Sequence, residues 1–329
     1  MKTIKVGNVT ESLIFYDPYL IVKVDNLIKK QLIDRVFVIS GVPECLVKDG
    51  KAYSSTKSSI IDILLCGDRD QYRNACQISS DTGIIIDLSV IVRSQAEIAT
   101  KYCNNFKSFA VTILSNINNY ASVSKRIDIV ADLYYNLSIK GATRINRGSG
   151  ARFPFDGDSS LPTDFNLFLK NTENKSDLNL LLATESKQFQ WNTDTYITEN
   201  TTVFNCLENR ECRMYNDDGL TFEEADNRII CHLWHMIRDG IADVVIRTVD
   251  SDVIVILLSF MAQFTFVNSR IKIWCDFGMA EKRMTLPIHE LYQSLGDSIC
   301  LGLTFFMHSQ AVILLVHFSP IQKTSGLKH

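Results

Sequence analysis

The sequence predicts an α/β protein with a mostly parallel central sheet flanked by helices. Two observations carry this: short aliphatic runs that close on aspartates alternate with stretches of helical periodicity, and the longest apolar run, Val253 to Leu258, is unbroken and rich in β-branched residues, which suits a strand covered on both faces.

The first element is "GIIIDLSVIV", beginning at Gly83, an aliphatic strand that ends at Asp87. A helical stretch follows, "SQAEIATKYCNNFKSFAVTILSNI", with Ile98, Tyr102, Phe106 and Phe109 spaced to be buried on one face. A second strand, "RIDIVADLYY", places Asp132 at its end. A strand, helix, strand crossover of this kind favours a parallel pair. Between Asp132 and Asp156 every charge is positive: Lys140, Arg144, Arg147 and Arg152. The Gly-rich stretch "SIKGATRINRGSGARF" can therefore receive phosphate, or be a solvated loop with incidental charge. Residues 156 to 200 read as a polar region with weak strands such as "LNLLLAT", and "ENRECRMYNDDG" as a loop entering a helix.

That helix is "TFEEADNRIICHLWHMIRDG". Thr221 or a preceding aspartate can cap it, Glu223, Glu224 and Asp226 load its first turn in line with the helix dipole, and Gly240 ends it. The next strand is expected within "ADVVIRTVDSDVIVILL". In an extended chain Asp250 and Asp252 share a face, and two carboxylates 4 Å apart repel by roughly 4 kcal/mol at an effective dielectric of 20. A divalent cation would neutralise them; solvated aspartates at a strand end are the plainer alternative. Acidic residues at two strand ends, a helix start and a D-x-D can converge at the carboxyl edge of a parallel sheet.

The totals bound these readings. With 329 residues and 46% of them hydrophobic, the chain can bury one large core or two modest ones. A net charge of −3 gives no global basic field, so nucleic-acid binding would need a local patch. Nine cysteines without a C-x-x-C pair exclude a disulfide framework or a zinc ribbon and point to reduced thiols in an intracellular, nuclear or cytoplasmic, protein. Cys231, His232 and His235 fall on one helix, where ordinary surface and core roles outweigh metal binding. The N-terminus has no continuous apolar segment of the signal-peptide type. Ile299 to Phe318 carries no charged residue and by hydropathy alone could be a C-terminal membrane anchor, although Gly302, His308, Ser309, Gln310 and His317 dilute it. The expected organisation is a region of short apolar runs over residues 1–80, a main domain over 81–306 and an apolar tail over 307–329.

The block from Glu223 to Leu258 resembles the internal region of flap endonuclease and XPG-type nucleases, which share the PIN-like fold: an acidic pair at a helix start, then D-x-D beyond a strand. Glu224-Ala225-Asp226 and Asp250-Ser251-Asp252 match it. The chain is still more similar to PIN-like proteins associated with mobile elements in animal genomes, through Glu223 to Arg228, Asp250 to Val253, Asp276-Phe277-Gly278, Pro287 to Glu290, and Asp132 with "SIKGATRINRG". The resemblance covers about residues 80 to 306 and rests on the order and spacing of the pieces. It implies metal-dependent phosphodiester hydrolysis of DNA or RNA, with Asp87, Asp132, Glu224, Asp226, Asp250 and Asp252 as catalytic carboxylates holding Mg²⁺ or Mn²⁺, Lys140, Arg144, Arg147 and Arg152 on the nucleic acid, and no small-molecule cofactor.

The chain departs from the pattern after "PIHELYQSLGDSICLGLTF". Relatives continue with a segment like "HALTGCDTTS", whose aspartate completes the metal cluster, whereas this chain has "FMHSQAVILLVHF". Codons for Phe306 to Leu315, read from their third bases, permit His, Ala, Leu, Thr, Gly, Cys, Asp, Thr and Thr in order. The tail is thus expected to be out of frame, its hydropathy no sign of an anchor, and the activity impaired by loss of the last carboxylate. The rival expectations are a catalytically inactive nucleic-acid-binding or protein-interaction module of the same fold, and a tail-anchored membrane protein.

Overall fold

The computed structural model describes residues 4–6, 9–11, 47–48, 51–52, 59–65, 69–73, 77–134, 150–212 and 224–308. The chain divides into two units, Met1–Ser54 and Ser55–His329. In the first, Ile4–Val6 (β1) pairs antiparallel with Val9–Glu11 (β2), and Val47–Lys48 (β3) with Lys51–Ala52 (β4).

In the second unit, helix Ser59–Leu64 (α1) precedes strand Thr82–Asp87 (β5), helices Leu88–Tyr102 (α2) and Phe106–Tyr120 (α3), and strand Arg126–Val130 (β6). Helices Phe165–Phe168 (α4) and Thr172–Gln188 (α5) lead into strands Asp194–Glu199 (β7), Thr202–Asn205 (β8) and Arg210–Cys212 (β9). Helix Ala225–Arg238 (α6), strand Asp243–Thr248 (β10), helix Ser251–Val267 (α7), strands Lys272–Phe277 (β11) and Met284–Pro287 (β12), and helices Ile288–Leu295 (α8) and Asp297–His308 (α9) follow.

Among the described residues the main sheet has eight strands, in the order β12-β11-β10-β5-β6-β7-β8-β9. The five central strands, β11 to β7 in that order, are mutually parallel, and the outer pairings are antiparallel. Side chains alternate across it: Ile85, Val244, Ile246 and Ile273 join one core with α1, α6, α7, α8 and α9, while Ile84, Ile86, Ile127, Ile129 and Val245 join the other with α2 to α5. Both faces are covered, which is why the strands are aliphatic throughout. The expected α/β architecture, a mostly parallel sheet flanked by helices, is therefore present.

Three local expectations are corrected. Val253 to Leu258 is not a strand; it lies in α7, while the strand before it, β10, ends at Thr248. An unbroken apolar run has no periodicity that separates strand from helix, and what decides here is the cap: the Asp250 side chain accepts the Asp252 N–H at 2.9 Å. "LNLLLAT" is likewise helical, within α5, where Leu178, Leu182 and Ser186 recur every fourth residue on a buried face and Asn171 caps the start. The stretch from Ser94 to Ile117 is two helices, broken where Asn105 and Ser108 form a capping box. Phe106 and Phe109 are buried as expected, but Tyr102 is 80% exposed, because the break turns the chain before its ring can follow them inward. The Ile98 side chain lies outside the described residues, as does the chain beyond His308. Among the described residues no helix is long and apolar enough to cross a membrane.

Candidate functional site

Among the parallel strands the chain runs from β5 outward through β6 to β7, then returns to the other side of β5 as β10 and continues to β11. The order reverses between β5 and β10, so their carboxyl ends open the crevice in which α/β sheets of this kind bind ligands. The acidic residues singled out in the sequence lie around this edge.

Asp87 is the last residue of β5 and only 6% exposed. Its Oδ1 accepts the Ser89 N–H at 2.9 Å, and its Oδ2 lies 3.4 Å from the Thr248 hydroxyl, which donates to it. Thr248 ends β10, and its hydroxyl also accepts the Asp250 N–H at 3.1 Å. With Asp250 capping α7 through the Asp252 N–H, a hydrogen-bonded path runs from Asp87 through Thr248 to Asp250 and Asp252. Asp250 is exposed and Asp252 half-buried. They belong to a helix start, with cap and first-turn positions that the helix dipole itself favours.

A second group surrounds the start of α6. Asp132 lies two residues past β6, and its Oδ1 accepts the Ala225 N–H at 2.8 Å while its Oδ2 is 3.3 Å from the Tyr134 hydroxyl. The N-cap residue of α6 is Glu224, whose side chain makes no capping bond, so a carboxylate from the end of another strand performs that task. Asp226 is in the first turn of α6. Thr221 and Glu223 lie outside the described residues.

Charge links the two groups. Burial raises the Asp87 carboxyl from 3.8 to about 6; the Ser89 hydrogen bond opposes the rise, and the negative charges of Asp132 and Asp226 add to it. The Asp87 carboxylate thus feels Asp132 and Asp226 across the edge of the sheet. Carboxylate oxygens are the donor type that Mg²⁺ or Mn²⁺ prefers. Among the described residues, no three Asp, Glu, His or Cys side chains stand close enough together to hold one ion.

The basic residues are placed differently. Lys140, Arg144 and Arg147 lie outside the described residues. Arg152 ties its own neighbourhood together: its guanidinium pairs with Glu173 at 2.9 Å and with Asp177, and donates to Asn174 Oδ1 at 3.0 Å at the start of α5.

His232 and His235 belong to a buried network at the opposite edge of the sheet. Arg126, the first residue of β6, holds Asp128 with two hydrogen bonds of 2.7 and 2.8 Å, and Asp128 Oδ2 lies 2.6 Å from His232 Nδ1. Arg126 also contacts His235 Nδ1 at 2.8 Å and lies over the Tyr196 ring at 3.8 Å. Burial works against the Asp128 charge, but Arg126 and His232 outweigh it and hold its carboxyl below the ordinary value. This network fixes α6 against β6 and so fixes where α6 begins.

Thr248 and Ser89 were invisible to sequence reasoning because their role is to bond Asp87, and the Thr248 contact spans 161 residues of chain. The only available signal was that each lies two residues from one of the singled-out aspartates, Asp250 and Asp87. Asp276-Phe277-Gly278, singled out in the sequence, closes β11 at the same carboxyl edge. Comparison with protein-family models, with curated proteins and with solved structures gives no match.

Proposed function

We propose that the second unit is a PIN-like, flap-endonuclease-like domain for divalent-metal-dependent hydrolysis of phosphodiester bonds in DNA or RNA. The observation that supports it is the buried Asp87 carboxyl at the strand-order reversal, destabilised as an anion by burial and by Asp132 and Asp226, with Asp250 and Asp252 linked to it through Thr248. A Mg²⁺ or Mn²⁺ ion bound by these carboxylates would supply charge neutralisation and a more acidic water. The chain's own contribution is orientation. Thr248 fixes Asp87 against the start of α7, Ser89 holds the other Asp87 oxygen, and the Ala225 N–H holds Asp132.

A catalytically inactive nucleic-acid-binding module of the same fold is separated by one experiment. Wild type and the double variant Asp250→Asn, Asp252→Asn are compared for Mn²⁺-dependent cleavage of single-stranded and flapped DNA and RNA, and for binding of the same substrates in EDTA. The nuclease reading expects cleavage to fall by more than about 100-fold with binding retained. Equal cleavage by both proteins refutes the assignment of this pair. Binding without cleavage by the wild type makes the domain a binding module.

A further inference from the structure

Behind the carboxylates, on the other face of β10, lies a cluster with a surplus of positive charge. Successive residues of a strand point to opposite faces, so Arg247 faces away from its neighbour Thr248. Arg247 is 5% exposed, and Asp276 of β11 is buried beside it. The Asp276 carboxylate is already committed: its Oδ1 accepts Arg283 Nε at 2.7 Å, and its Oδ2 accepts Arg283 Nη2 and the Tyr120 hydroxyl, the latter at 2.7 Å. Arg247 Nε stands 3.8 Å from that carboxylate, beyond hydrogen-bonding distance. Among the described residues the Arg247 Nη1 donates to the carbonyls of Thr248 and Asp276, at 3.1 and 2.9 Å. Two guanidiniums thus share one carboxylate, and a carbonyl does not cancel a charge.

A nearly buried cation that, among the described residues, shares its counter-ion with a second guanidinium is costly, and an anion arriving at it offsets that cost. The Arg283 side chain is 48% exposed, so the cluster opens to solvent on its side. Its position is set by a tight turn. Gly278 at φ +90 leads back toward Arg283, and the Gly278 N–H donates to the Thr248 carbonyl at 3.2 Å. The arginines therefore stand at the same carboxyl edge as Asp87 and Asp250, on the reverse side of the end of β10.

We propose that Arg247 and Arg283 form a phosphate subsite, which takes a backbone phosphodiester of a single-stranded polynucleotide adjacent to the one at the carboxylates. This inference rests on the proposed nuclease reading for the identity of the anion. Guanidinium forks suit phosphate oxygens, and an arginine already oriented by Asp276 and Tyr120 loses little freedom on binding.

The test uses the full chain in EDTA, where cleavage does not intervene. Binding of a labelled single-stranded DNA oligonucleotide is followed by fluorescence anisotropy across a salt series, for wild type, Arg283→Gln and Arg283→Lys. Arg283→Gln leaves Asp276 and Arg247 one to one and removes the surplus. It should weaken binding severalfold at low salt and reduce the slope of log affinity against log salt by about 0.7, the value for one lost phosphate contact on a single strand. Arg283→Lys, which restores the charge, should recover the slope. If Arg283→Gln melts early, the lysine variant still decides: a lost slope despite the retained charge refutes a charge-based subsite. Equal slopes for wild type and Arg283→Gln, or no binding by wild type, overturn the proposal. If the slope falls as expected but wild type does not cleave in Mn²⁺, the subsite stands and the nuclease reading falls.

Discussion

Replacing Asp87 with asparagine should stabilise the protein at neutral pH in the absence of divalent cations. A carboxyl raised from 3.8 to about 6 by folding is destabilising when ionised, by about 3 kcal/mol at about 1.36 kcal/mol per tenfold change in proton affinity. The sign follows from the raised value. The contribution of Asp87 to stability is fully present below 3.8, where the group is protonated in both states, and is lost as the pH rises through about 6. Asparagine keeps an oxygen for the Ser89 N–H, and its amide can donate to the Thr248 hydroxyl, so the bonds at stake total less than the roughly 3 kcal/mol released. Urea denaturation of both proteins in EDTA, from pH 3.5 to 8, should show no difference at the acidic end and a gap opening to about 3 kcal/mol above pH 6. Adding Mn²⁺ at about 100 times its dissociation constant should then stabilise wild type by about 2.7 kcal/mol and leave the variant nearly unchanged. An Asp87→Asn variant less stable than wild type throughout, or a gap that does not vary with pH, would refute the reasoning about burial and like charge.

Two further substitutions test the frame around the site. Gly278→Ala should destabilise by about 1–3 kcal/mol from its backbone conformation alone, since φ is +90 and the new methyl would lie 2.5 Å from the Lys282 carbonyl oxygen; a urea midpoint equal to wild type would show that the turn relaxes freely. Asp132→Ala removes the acceptor of the Ala225 N–H and should cost about 1 kcal/mol, as for a lost helix cap, while taking one negative charge away from Asp87. The pH-dependent step assigned to Asp87 should move downward in this variant, and a step that stays in place would show that Asp132 does not contribute to it.

Much of the sheet was legible because its strands are buried on both faces. "GIIID" and "RIDIV" stand out as aliphatic runs between turns, and both prove to be central strands, while Gly240, at φ +78, ends α6 where the sequence places the stop. The failures share a physical cause. Helix α7 is apolar on nearly every side because it packs on the sheet and also under α8 and α9, so no polar stripe marks its period. Its start was written in Asp250, a cap residue, but the same aspartate also fitted a strand end. The site was legible only as a list of carboxylates. Strand order decides which of them meet, and nothing local in the chain states that β10 returns beside β5 rather than beyond β7.

The structure gives most of these carboxylates an ordinary reason to exist. Asp250 caps α7, Asp226 complements the dipole of α6, and Asp132 accepts the first N–H of that helix. An acidic edge could therefore arise from helix starts meeting at one end of a sheet, with no ligand involved. Asp87 is different in kind. Its backbone bond to Ser89 could be made by asparagine or serine, yet the residue is a buried acid whose charge is opposed by burial and by two neighbouring acids. Capping does not require that cost of about 3 kcal/mol. A cation that binds only the ionised form would offset it, and so would a proton held near neutral pH for chemistry at the crevice. Either use needs Asp87 where it stands, with Thr248 relaying its position to the start of α7, and it is on Asp87 rather than on the more conspicuous D-x-D that the functional reading of this edge turns.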